Sequence, residues 1–278
     1  METFGGLEFW YLRESPNLVG TDAKADIPLP ANVRRYFFPG TSHGGGRGGF
    51  SSATPAPPSG CVLPANPNPE TETMKALMVA FVDWVTKGTE PPASRYPRLD
   101  RGELVPATKA AMNFPTIPGA PSPEGLVNMV ADHDYGPEFR YVDLSGVITK
   151  EPPVVKQLIP TLVPKVDADG SDVGGVPSVL RQAPLGSYLG WNVTAGGFDK
   201  GRQCTLSGGY IPFATTNAER LAAGDPRPSL EERYGNHAGY VAAVRAAAEK
   251  AVNGRFLLRD DANQLIAQAS ASDVLAGK

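Results

Sequence analysis

The sequence predicts an α/β fold that begins with strand, glycine loop and helix, continues as a loop-rich region of short strands, and ends in a helical tail. Three observations carry this. Val33-Arg34-Arg35-Tyr36-Phe37-Phe38 is a β-prone run stopped by Pro39-Gly40. Glu70 to Lys87 repeats apolar residues at helical spacing, and Ser229-x-x-Glu232 opens the tail with a capping box.

The aromatic segment Phe4 to Leu12 (FGGLEFWYL) starts the chain without preparatory residues and reads as a domain met partway through. A polar, turn-rich stretch through Pro28 and Pro30 leads into the 33–38 strand. Gly40 to Gly49 (GTSHGGGRGG) must be loop, because six of its ten residues are glycine. Loop persists over 51–69, where prolines recur. In the helix that follows, Met74, Leu77, Met78, Phe81, Trp84 and Val85 fall on one face, which the spacing predicts to be buried, and Gly88 stops it. From Pro91 to about Pro153 the chain reads as irregular. From Val154 to Thr194 the runs VVKQLI, TLVPKV and SYLGWNV alternate with turns and read as short strands, and DADGSD (167–172) reads as a hairpin turn. In the tail, Tyr240, Val241, Val244, Ala248, Ala251 and Val252 stripe one helix, and Asp260 to Ala269 makes another. These shifts divide the chain into 1–90, 91–216 and 217–278.

Composition limits the function. Over 278 residues, 26 basic and 29 acidic side chains leave a formal charge of −3, which argues against nucleic acid or an anionic membrane as partner. Gly (31) and Pro (28) are numerous enough to require many ordered turns. No run of about 18 apolar residues spans a membrane. Met1-Glu2 opens with no basic segment and no apolar stretch, so no export signal is read, and a longer N-terminus leaves the compartment open. Cys61 and Cys204 lack metal spacing; they are either two buried thiols or one long-range bridge.

Three histidines are present. His43 follows the strand in the glycine loop, where a side chain projects into a cleft with little backbone in its way, or simply stands in solvent. A neutral imidazole there suits a general base that activates a serine. His133, in ADHDYG, reads as part of a polar turn, because its flanking carboxylates point away from it. His237, in GNHAGY, reads as solvated. Gly40-Thr41-Ser42-His43-Gly44 matches the G-x-S-x-G elbow in form only. The elbow needs a helix after its serine, and each glycine of Gly44-Gly45-Gly46 costs a helix roughly 1 kcal/mol. The glycine loop lacks the Gly-Lys-Ser/Thr ending of a phosphate cradle. Asp167, Asp169 and Asp172 miss the calcium-loop pattern, which leaves a β-turn.

Five stretches, in order over nearly the whole chain, resemble the α/β-hydrolase domain proteins of bacteria, an ester-hydrolase-like group. They are LPANVRRYFFPGTSHG, NPNPETETMKALMVAFVDWVTKGTEPPASRYPRL, LVPKVDADGSDVGGV, LGWNV and ERLAAGDPRPSLEERY. The resemblance implies a catalytic order of serine, acid, histidine. The histidine after the last strand is then His43. The acid after the preceding strand is Glu8, which also reads as a surface carboxylate beside aromatics; Asp22 and Asp26 are weaker alternatives. It further implies that this chain is the C-terminal portion of the hydrolase sheet, with the nucleophile and most strands preceding residue 1. The expectation is a partial serine hydrolase of carboxylic esters, needing neither metal nor cofactor, inactive alone, and prone to self-association through an exposed sheet edge. The alternative is a non-catalytic binding or structural module.

Overall fold

The computed structural model describes residues 1–277. Strand β1 (Glu2–Gly5) runs into a π-helical turn, Glu8–Leu12, and a short helix α1 (Pro16–Val19). Strand β2 (Arg35–Phe38) then pairs parallel with β1, Glu2 opposite Arg35 through Gly5 opposite Phe38. Aromatic residues alternate across β2: Tyr36 and Phe38 enter one core with Leu77, Val176 and Phe256, whereas Phe37 enters another with Phe4, Phe9 and Trp191. Both faces of β2 are therefore buried, the usual condition of a parallel strand. Its second edge is met by Arg95, whose carbonyl accepts from the Phe37 amide at 2.9 Å.

Helix α2 (Thr71–Lys87) forms where the periodicity places it, but its face is turned. Thr73, Ala76, Leu77 and Ala80 are buried, while Met78, Phe81, Val82 and Val85 face solvent and Trp84 is half-buried. Periodicity finds an apolar stripe without saying what covers it. Here Leu77 packs with Tyr36 and Phe38 of β2, and Met78, Phe81, Val82 and Val85 remain outside.

The region expected to be irregular holds strands of its own. They are β3 (Leu104–Pro106), β4 (Val130–Asp134), β5 (Phe139–Arg140) and β6 (Ser145–Gly146), with helix α3 (Lys109–Met112) between the first two. Strands β7 (Val154–Ile159) and β8 (Leu162–Pro164) pair antiparallel with β4 and β3. Helix α4 (Val179–Gln182) precedes β9 (Gly186–Leu189), which pairs antiparallel with β10 (Gly209–Pro212). Every sheet among the described residues is thus two-stranded, and β1–β2 is the parallel one. His133 lies in β4 opposite Val155, not in a turn.

The tail contains α5 (Asn217–Ala223), which the sequence reading missed, then α6 (Leu230–Tyr234), α7 (His237–Asn253) and α8 (Arg259–Ser270). The Ser229/Glu232 capping box closes in both directions, and a second one, Thr216/Glu219, starts α5. Tyr240, Val244, Ala247 and Ala248 of α7 build a third core with α8, Tyr188, Tyr210 and Phe50. His237 is half-buried rather than solvated. Its ring nitrogens lie 2.8 Å from the Val274 carbonyl and 3.2 Å from that of Ser270, which ties the start of α7 to the end of α8.

Cys61 and Cys204 form a disulfide across 143 positions of sequence. Replacing both by alanine is expected to lower unfolding stability by about 2–5 kcal/mol, because the unfolded chain then regains the closed loop's freedom. Urea unfolding of the variant beside the oxidised and reduced wild type measures this. Among the described residues no helix is long and apolar enough to cross a membrane.

Candidate functional site

The carboxyl ends of β1 and β2 lie side by side, and each is followed by a residue that the sequence singled out. Glu8 comes just after β1 and His43 just after β2, and their side chains meet: His43 Nδ1 is 2.7 Å from Glu8 Oε1. The other carboxylate oxygen, Oε2, accepts the Gly5 amide at 2.9 Å. An ionised carboxylate only accepts, so the neutral ring carries its proton on Nδ1 and presents the Nε2 lone pair. Among the described residues nothing bonds Nε2. The Glu8 side chain is mostly covered and that of His43 is half open (13% and 49% exposed), so the pair has a buried anchor and an accessible tip.

Tight backbone approach makes the pair possible. Thr41 Oγ1 accepts the Gly6 amide at 3.2 Å and the Thr41 carbonyl accepts that of Leu7 at 3.1 Å. A Cβ on Gly5 would stand 2.2 Å from Thr41 Oγ1, so glycine is required there. Gly40 has φ +63°, and a Cβ on it would meet the Tyr188 carbonyl at 2.4 Å.

The glycine loop itself is bonded along its length. Asn66 Nδ2 donates to the Gly40 carbonyl at 2.8 Å, and Asn68 Nδ2 to that of Pro39 at 2.9 Å. The Gly46 amide donates to the Asn68 carbonyl at 2.7 Å, and Gly48 to that of Pro67 at 2.8 Å. On the other side, the His43 amide reaches the Leu206 carbonyl at 3.4 Å, and Ser42 Oγ accepts the Gly208 amide at 3.0 Å. The disulfide at Cys204 anchors this neighbouring strip.

Two more carboxyl groups stand behind the pair. Glu70 packs against Gly45, and burial pushes its carboxyl up to about 7; the negative charge of Glu8 adds to this and His43 opposes it. Asp172 is wholly enclosed and accepts the Gly40 amide at 2.9 Å. Burial raises its carboxyl to about 7, against the pull of the Gly40 amide and Arg181. An acid whose folded pKa is raised binds more protons folded than unfolded, so its contribution is complete below about pH 4 and is lost as pH rises toward 7. Asp172→Asn keeps an oxygen for the Gly40 amide and cannot ionise. The variant is expected to match wild type near pH 4 and to exceed it by about 2–4 kcal/mol at pH 8. Denaturant unfolding at the two pH values checks the sign.

The other candidates are engaged elsewhere. Asp26 accepts the Leu99 and Asp100 amides, both at 2.9 Å, and Asp22 accepts that of Lys24 at 3.2 Å. Asp167, Asp169 and Asp172 do not converge: the first pairs with Arg181, the second with Arg233, the third with the Gly40 amide. Asn66, Asn68, Glu70 and Asp172 were missed as parts of this site. The Asn-Pro-Asn-Pro-Glu run, with its amide side chains set between rigid prolines, was the available signal for the first three.

An imidazole held at one nitrogen by a carboxylate and open at the other is suited to take a proton from a hydroxyl group. Searches of curated proteins and of solved structures gave no match to the chain. A family model described as an alpha/beta hydrolase domain matches residues 14–267, which takes in β2, His43, α2 and most of the helical tail, with Glu8 just before it. By that match the chain belongs to the alpha/beta hydrolase domain family.

Proposed function

We propose that this chain supplies the base and the orienting acid of a serine hydrolase acting on carboxylic esters. The observation that carries the reading is the 2.7 Å contact between Glu8 and His43 at the ends of two neighbouring parallel strands. Open α/β sheets bind ligands at that end of the strands. In the mechanism, His43 Nε2 takes the proton of a serine hydroxyl as its oxygen attacks the ester carbonyl carbon. The proton then passes to the departing alkoxide, which leaves as the alcohol and yields an acyl-enzyme. Water, deprotonated by the same nitrogen, releases the acid and restores the serine. The Glu8 carboxylate holds the ring through Nδ1 and stabilises the imidazolium.

The nucleophile comes from polypeptide outside the described residues. Ser42 is a poor candidate, because Gly208 already donates to its oxygen and the glycines after it form no helix. Two surfaces support an added segment: the edge of β1 away from β2, and the outward apolar face of α2. The second reading, a binding module without turnover, is favoured by that same engagement of Ser42.

A fluorophosphonate probe separates the readings. The proposal expects covalent labelling of a serine in polypeptide joined to this chain, and loss of labelling in His43→Ala. Labelling of Ser42 would relocate the nucleophile, and no labelling in any form would leave the binding module.

A further inference from the structure

A cleft of about 570 Å³ borders the Glu8–His43 pair, and its walls are continuous with both members. One wall is Tyr11, three residues beyond Glu8 in the same π-helical turn. Another is the strip through Cys204 and Thr205, which runs on to Leu206, whose carbonyl accepts the His43 amide. The backbone of the cleft is fixed. The Cys61–Cys204 disulfide locks the loop of Ser59 and Gly60 to the strip, and the Ala195 amide donates to the Gly60 carbonyl at 2.8 Å. Gln203 Nε2 donates to the Thr205 and Ser207 carbonyls at 3.2 and 3.1 Å. The hairpin that ends in Phe198 and Asp199 is closed by the Thr194 amide on the Arg202 carbonyl at 2.9 Å.

Against that fixed frame the lining side chains are uncommitted. Among the described residues, the side chains of Tyr11, Asn128, Asp199 and Arg202 have no protein partner. They offer a hydroxyl, a carboxamide, a carboxylate and a guanidinium, so donors and acceptors share one space. The two charges are opposite, and the cleft as a whole selects neither an anion nor a cation. Two aromatic rings are open at the same place, Tyr11 at 39% and Phe198 at 103% exposed. A fatty chain would take water from the polar groups without replacing it, at about 1–3 kcal/mol for each one left unsatisfied. A sugar answers both features: each hydroxyl donates and accepts, and the C–H groups of its ring meet the negative face of an aromatic ring. The volume lies within the range of small-molecule sites, about 300–1,000 Å³. We propose that this cleft is the carbohydrate subsite of the ester-cleaving site, and that the substrate is an O-acylated sugar whose ring lies in the cleft and whose ester reaches His43. The ester half rests on the hydrolase reading above; the sugar half rests on the cleft alone.

Saturation-transfer NMR on the purified chain tests the sugar half without any turnover. Cellobiose, xylobiose and lactose are the probes, with sodium octanoate beside them. At least one of the sugars is expected to bind with a Kd of about 1–10 mM, and octanoate is not. Asp199→Ala and Arg202→Ala are each expected to weaken the sugar by at least about fivefold at unchanged melting temperature, because both side chains are exposed. Tyr11→Phe, which keeps the ring, is expected to cost less than Tyr11→Ala. His43→Ala is expected to retain binding, since the sugar ring does not need the imidazole. Absence of binding by all three sugars up to about 50 mM overturns the proposal, as does binding that ignores the Tyr11, Asp199 and Arg202 variants. Octanoate binding that those variants weaken would assign the cleft to an acyl chain and also overturn it. The two readings fail separately. Sugar binding with no serine labelled by the fluorophosphonate probe removes the ester and keeps the sugar site, whereas labelling without sugar binding removes the sugar site and keeps the hydrolase.

Discussion

His43→Ala, made in a polypeptide that carries both this chain and the nucleophile, is expected to lower kcat for a carboxylic ester by about 10³–10⁴-fold with little change in KM. The base acts only as the proton moves, so ground-state binding is spared. Glu8→Gln is the sharper test. Glu8 accepts two donors, the Gly5 amide through one oxygen and His43 Nδ1 through the other. A carboxamide has one oxygen. Whichever way it turns, its NH2 group faces either the Gly5 amide or the imidazole, and in the second case the ring is driven into the tautomer that cannot act as base. A fall of about 10²–10⁴-fold in kcat at unchanged fold is therefore expected. Steady-state kinetics alongside thermal melting separates this from unfolding. Full activity in either variant removes the pair from the reaction.

Arg227→Ala is expected to cost about 3–5 kcal/mol of stability. Arg227 is 2% exposed and all five of its side-chain hydrogens have acceptors. Nε donates to Asp225 Oδ1, NH1 to Ser187 Oγ and the Ile211 carbonyl, and NH2 to Asp225 Oδ2 and the Pro212 carbonyl. The guanidinium also stands 5.1 Å from the Phe213 ring. Removing it leaves a covered Asp225 carboxylate without its hydrogen-bonded partner and removes a side-chain bridge between β9 and β10. Burial pushes the Asp225 carboxyl up, but the bonds and charge of Arg227 outweigh it and hold it below the ordinary value. The sign is thus opposite to that of Asp172: this contribution is present above about pH 4 and is lost as pH falls through the depressed pKa. Arg227→Lys restores the charge without the planar fork and is expected to recover only part of the loss. Urea unfolding of the two variants at pH 7 measures the difference, and an alanine cost under about 1 kcal/mol would show that the network is not a structural tie.

Local chemistry made β2, the glycine loop, α2 and the capped tail legible in the sequence. A β-prone run before Pro-Gly, a 3.6-residue period and a Ser-x-x-Glu box each act within a few residues. Glu8 came from the resemblance, and the structure brings it to His43. What stayed hidden is non-local. The bond from the Gly40 amide to Asp172 spans 132 residues, and nothing in DADGSD distinguishes a surface turn from a buried acid. Strand β4 escaped notice because Val-Ala-Asp-His-Asp lacks the apolar alternation of a half-buried strand, and its side chains enter none of the three cores. The outward face of α2 was misjudged for a related reason: the pattern records how apolar a face is, while its cover depends on other parts of the polypeptide.

Six glycines in ten residues describe a segment with the greatest freedom to lose, yet the stretch from Gly40 to Gly49 is fastened by asparagine side chains on one flank and by amides and carbonyls on both. That entropy is surrendered once, while the chain folds, and none of it recurs when a substrate arrives. The imidazole is consequently aimed before any encounter, and a mutation that merely slackens the loop would appear as a slower reaction in a protein whose contacts with substrate are all intact.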